Sequence, residues 1–126
     1  MKRVIAALAL LLIAGAVVFV CNYIFNREIT ALENELNNLI EISDNITEKE
    51  LLGRAEDIAD NWEKSSGMLR SIVLHDGVDE LGRSISSLPQ MIEHSGKDEM
   101  KKICIEAINM IKNLRECEEI RIENIL

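Results

Sequence analysis

Aromatic residues are nearly absent: Phe19, Tyr23, Phe25 and Trp62 make up 3% of 126 residues. Proline occurs once, at Pro89, and glycine six times, which excludes a collagenous or low-complexity chain. Cys21, Cys104 and Cys117 are the only cysteines, too few for a disulfide-dense scaffold. Positive charge is scarce as well, with 14 Lys and Arg against 22 Asp and Glu and a net charge of −8. A nucleic-acid binder needs clustered cations to neutralise phosphates, so no nucleic-acid partner is expected. Chemistry-bearing motifs are missing too. There is no Gly-x-Ser-x-Gly elbow, no Gly-rich phosphate loop and no His-x-x-x-His or Cys-x-x-Cys spacing. His75 and His94 stand beside Asp76 and Glu93, but neighbours along a helix do not face each other, so no metal site is expected. Ser65, Ser66, Ser86 and Ser87 have the context of helix-surface or loop residues. The length suits one domain, and the expectation is a non-enzymatic chain without a cofactor.

What is present divides sharply. Residues 4–26 carry no charge. At about 1.5 Å per residue this stretch reaches about 33 Å, enough to cross a hydrocarbon core of about 30 Å. Backbone groups in lipid must be paired within the segment, so a helix is predicted. Tyr23 and Phe25 fall at its distal edge, where an amphipathic ring is favoured. Lys2 and Arg3 with Ala14-Gly15-Ala16 also resemble a signal peptide and its cleavage site. The apolar run continues through Val17-Val18-Phe19-Val20, however, and cleavage would leave a hydrophobic tail. A lipoprotein needs a small residue before its cysteine, and Val20 precedes Cys21. The reading is therefore a retained anchor over 1–26 and a separate unit over 27–126. Lys2 and Arg3 place the short N-terminal side in the cytoplasm by the positive-inside rule, making a single-pass protein of the cell membrane with its bulk outside. Residues 27–126 hold all 22 acids, which read as solvated helix faces.

The exported part reads as all-α. Trp62 is its only aromatic and Thr30 and Thr47 its only threonines, so strand formers are few beyond Ile and Val. Ile29, Leu32, Leu36 and Leu39 step by three and four, and Ile46 follows after a polar Ser43. Thr47-Glu48-Lys49-Glu50 fits a capping box, with Ile46 and Leu51 as its hydrophobic staple. Leu51, Ala55, Ile58, Trp62, Leu69 and Val73 continue a second stripe. The spacing shifts phase near Leu74, and Leu74, Val78, Leu81, Ile85, Leu88 and Ile92 form a third. Asp76-Gly77 is read as the cap or turn at the shift, and one long helix with a stutter is the alternative. Pro89 should kink the third helix, or Ser87 with Gln90 should restart it. Ser95 is read as the N-cap of a last helix carrying Met100, Ile103, Ala107, Met110, Leu114 and Cys117, ending near Asn124. An N-terminal transmembrane helix followed by an antiparallel bundle of about four helices buries these stripes. Trp62, on its stripe, is expected to pack in the core with its indole N–H on a polar partner. Cys104 and Cys117 lie 13 positions apart, about 20 Å along one helix, too far for a disulfide, and all three cysteines read as small hydrophobes. An odd number outside the cytoplasm leaves intermolecular bonding open. Asn45-Ile46-Thr47 matches a glycosylation sequon, but Thr47 is accounted for as a cap.

A membrane anchor, Asp60-Asn61-Trp62, Leu74-His75-Asp76, Val78-Asp79-Glu80-Leu81 and the closing segment from Glu118 through Asn124-Ile125-Leu126 together resemble a bacterial family of small single-span proteins known only as a domain of unknown function. The resemblance covers nearly the whole chain, and Pro89 is atypical of it. It implies no enzyme activity and no catalytic residue. It also implies a gene often placed beside a multi-span membrane protein.

Two functions are compatible with this pattern. In the first, a membrane-anchored helical interaction module associates with a partner membrane protein or with itself. Its contact surface would be apolar side chains left over when the bundle closes: Ile40, Ile42, Ile120, Ile122, Ile125 and Leu126. In the second, the bundle is an extracytoplasmic sensor of a small ligand. Only Met1-Lys2-Arg3 precede the span, so a sensor would signal through a partner, which favours the first reading.

Overall fold

From Val4 to Ile42 the sequence offers one glycine, Gly15, and no proline to interrupt a helical ladder. In the computed structural model, Lys2–Ile42 is accordingly one helix of 41 residues, α1. The structure describes residues 1–72 and 75–125, and their side chains except at positions 72, 75, 76, 121, 122 and 125. Helix α2 follows over Glu48–Ile72, α3 over His75–Ser95 and α4 over Lys97–Ile125. The described residues contain no strand.

The cap of α2 forms as its sequence requires. Thr47 Oγ1 accepts from the Glu50 N–H at 3.2 Å, and the Thr47 carbonyl accepts from the Leu51 N–H at 3.0 Å. Glu50 stays exposed, and its half of the box is not closed. The break between the second and third stripes is real, but Asp76 and Gly77 already lie in the first turn of α3 rather than in a turn before it. The stripe positions Val73 and Leu74 lie outside the described residues, as does the side chain of His75. Helix α3 runs uninterrupted through Pro89. Ser87 does not restart it: its hydroxyl donates to the Ser84 carbonyl at 2.7 Å. At the next junction Gly96, not Ser95, takes the cap position. It has φ of 85°, a left-handed conformation natural to glycine. Its N–H reaches the Met91 carbonyl, and its own carbonyl accepts from Met100 at 3.3 Å.

Short connections make sequential helices antiparallel neighbours. Helix α1 packs on α2, α2 on α3, α3 on α4, and α4 returns to α1, an up-down-up-down bundle. Only the second half of α1 takes part. Its buried residues are Phe25, Ile29, Leu32, Leu36 and Leu39, so Phe25 is a core residue and not a membrane-edge ring. Polar contacts fix the register. Ser65 Oγ donates to Glu28 Oε2 at 3.0 Å between α1 and α2, and Arg70 Nε to Asp79 Oδ1 at 2.8 Å between α2 and α3. Lys101 Nζ meets Asp44 at 3.0 Å, and Arg115 reaches Glu33 at 3.4 Å and Thr30 at 3.3 Å between α4 and α1.

Three polar residues complete apolar stripes. Ser43 is fully buried, with its hydroxyl on the Ile40 carbonyl at 2.8 Å. Ser66 fills the gap between Trp62 and Leu69, donating to the Glu63 carbonyl at 3.1 Å. On α4 the buried line is Met100, Cys104, Ala107 and Ile111, continued by Glu118. Ile103, Met110 and Leu114 flank it half-buried, and Cys117 faces solvent rather than the core.

Candidate functional site

Trp62 is 5% exposed and packs against α3 where Gly82 leaves room for it. A Cβ at Gly82 would stand 3.0 Å from the indole Nε1, so the indole nitrogen faces a bare stretch of helix instead of the expected polar side chain. The α2–α3 seam opens outward from this point as a groove of about 970 Å³. Gly67 and Gly82 keep it wide, Ser66 and Trp62 lie at its base, and the Arg70–Asp79 ion pair, Arg83 and Gln90 edge it. It is polar and open. On the other side of α2, two adjoining recesses of about 270 and 180 Å³ share Glu35, Ile58 and Asn61. Burial, and next the charge of Glu28, push the Glu35 carboxyl above its ordinary pKa of 4.5. Glu28 is itself held by Ser65 and Arg27. Among the described residues no three His, Cys, Asp or Glu side chains converge as a metal site would need.

Cys104 is buried, its thiol 3.5 Å from the Met100 sulfur, and burial raises its pKa to about 12. It is an inert packing residue. Cys21, Cys104 and Cys117 are all free.

Of the six side chains expected to form a contact surface, the three that are described fall at two ends of the bundle. Ile40 is half-buried against the core, and Ile42 is half-buried at the rim of the smaller recess. Both sit at the end of the bundle far from the anchor. Ile120 is 58% exposed and sits at the opposite end. The side chains of Ile122 and Ile125, and all of Leu126, lie outside the described residues. Sequence periodicity misses Met68, an exposed apolar side chain on α2, because it lies off the core stripe.

Among the described residues, the longest run of exposed apolar side chains lies on α1. Leu8, Leu10, Leu11, Leu12, Ile13 and Phe19 are all more than half exposed. Its most apolar 18 residues are enough to cross a membrane, and none of them is buried. No curated protein and no solved structure matches the chain. Residues 19–125, from the last turns of the uncharged stretch to the end of α4, match the family described as Domain of unknown function (DUF4363), and the chain belongs to that family.

Proposed function

We propose that this protein is a non-enzymatic, single-pass interaction module of the cell membrane. Its span would associate with a partner membrane protein or a second copy, with the bundle held outside the cytoplasm. The observation that carries the reading is the unbroken passage of α1 from an exposed apolar rod into a closed bundle. A soluble protein does not leave so much contiguous apolar surface uncovered. The orientation rests on Lys2 and Arg3 at one end of the span and on the acids that follow Arg27 at the other. The α2–α3 groove supports a second reading, a polar small-ligand sensor acting through that partner.

Photo-crosslinking from Leu12, 75% exposed, in native membranes tests the first reading. A discrete protein adduct, homomeric or heteromeric, is expected. Adducts to lipid alone would remove the span as a recognition surface. A reporter fused behind α4 should be active only outside the cytoplasm, and activity inside would reverse the proposed orientation.

A further inference from the structure

The indole N–H of Trp62 is a donor without an acceptor among the described residues. No buried side-chain nitrogen or oxygen among them is left unpaired, so Nε1 is not sealed in the core although the residue is only 5% exposed. Nε1 is the indole atom nearest the place of a Cβ at Gly82. It therefore opens on the α3 side, into the α2–α3 groove, and not into the recess beside α1 that Trp62 also lines. A nearly buried donor left free in this way calls for an acceptor from outside the chain. The ring faces are packed in the core, so a flat sugar or base has no surface to stack on.

The other groups of the groove sort by charge. Arg70 is neutralised by Asp79 at 2.8 Å. Among the described groove residues, Arg83 is the one cation and Glu63 the one anion without an ion-pair partner. The hydroxyl protons of Ser66 and Ser87 go to the carbonyls of Glu63 and Ser84, so their oxygens are left to accept. Counted along the antiparallel seam from the Arg70–Asp79 pair, Arg83 stands about 6 Å away and Glu63 about 10 Å away, an offset of less than one helical turn. Both charges are within side-chain reach of one α-amino acid, whose carboxylate and ammonium sit on the same carbon. The net charge of −8 repels a simple anion at long range, whereas a ligand of zero net charge escapes that repulsion.

The geometry points to a binding site in the α2–α3 groove for a small zwitterion of the α-amino acid type. Its carboxylate accepts from Trp62 Nε1 and the Arg83 guanidinium, and its ammonium donates to Glu63 and to the oxygens of Ser66 and Ser87. This rests on the sensor reading above and supplies its ligand class.

The test is equilibrium dialysis of the full chain in detergent micelles against a millimolar mixture of the twenty L-amino acids, with propionate, methylammonium and glucose in parallel, read by mass spectrometry. Retention of one or more amino acids above the single-charge probes is expected. Calorimetry with a retained amino acid should then show binding about tenfold weaker in Arg83→Gln and in Trp62→Phe, which keeps an aromatic ring but loses the donor. Glu63→Gln should weaken the amino acid and leave propionate unchanged. Retained helicity verifies that each variant is folded, and Arg83 and Glu63 are exposed, so their variants carry the test even if Trp62→Phe does not fold. Unchanged affinity in Arg83→Gln would overturn the site. Retention of propionate or glucose in preference to every amino acid, lost in Arg83→Gln, would overturn the zwitterion while leaving a ligand-binding groove and the sensor reading in place. Retention of no probe would overturn the ligand class and remove the support it gives that reading.

Discussion

Gly82→Ala sets two known effects against each other at one atom. Within a helix alanine is favoured over glycine by about 1 kcal/mol. At Gly82 the new methyl carbon would lie 3.0 Å from Trp62 Nε1 and 3.9 Å from two further indole atoms. The indole is rigid and 5% exposed, so it cannot swing aside as a surface chain would. Overpacking of this kind costs about 1–3 kcal/mol, which exceeds the propensity gain. Gly82→Ala should therefore be destabilising by up to about 2 kcal/mol in the parent. In a Trp62→Leu background the opposing atom is gone, and the same substitution should stabilise by about 0.5–1 kcal/mol. The reversal of sign is the decisive outcome. Urea unfolding of the full chain in detergent micelles, followed by circular dichroism for the four members of the cycle, measures it. Trp62 is the only tryptophan, so its fluorescence also reports the contact directly in the parent and in Gly82→Ala. Equal stabilisation in both backgrounds would refute the close approach of indole and helix.

Thr47→Ala removes the acceptor for the Glu50 N–H and should cost about 1 kcal/mol, read from the same unfolding curves. Glu35 has a raised pKa in the folded state, from burial and then from Glu28, so the native chain holds this proton more tightly than the unfolded chain. Stability should therefore fall as pH rises through the window above 4.5, and Glu35→Gln should be more stable than the parent near neutral pH and equal to it below about pH 4. Unfolding across that range checks the sign. Iodoacetamide at pH 8 should modify Cys117 rapidly and Cys104 only as fast as the protein opens, because the Cys104 thiol is buried and its pKa is raised to about 12. Mass spectrometry of timed samples separates the two.

The helices were readable because their apolar spacing is strict where it matters. Ile29, Leu32, Leu36 and Leu39, and later Val78, Leu81, Ile85, Leu88 and Ile92, are buried as their period demands. Periodicity failed where a stripe passes through a residue of the wrong chemical type. Ser43 and Ser66 look like interruptions, yet each satisfies its hydroxyl on the carbonyl three residues back and can then be buried at little penalty. On α4 a wide apolar face let Ile103 and Cys104, or Met110 and Ile111, serve equally well as the centre. Choosing Cys117 over Glu118 by hydrophobicity then put the phase one residue off. The uncharged run likewise hides where packing against protein begins. Absence of charge marks what lipid tolerates, but Phe25 is buried in the bundle core within that uncharged run, and composition alone does not distinguish the two solvents. The groove and the recesses depend on how separate helices meet, which no single-helix pattern encodes.

Helix α1 has no proline, no glycine after Gly15 and no break at the point where it leaves the uncharged stretch. On the membrane-anchored reading proposed above, the span and the first bundle helix are two ends of one lever. In a bilayer thinner than the span, a helix accommodates the mismatch by tilting. A hinged receptor would absorb that tilt in its juxtamembrane loop. Here the four packed helices would swing with the rod, so that a change in lipid thickness would become a change in the attitude of the whole bundle.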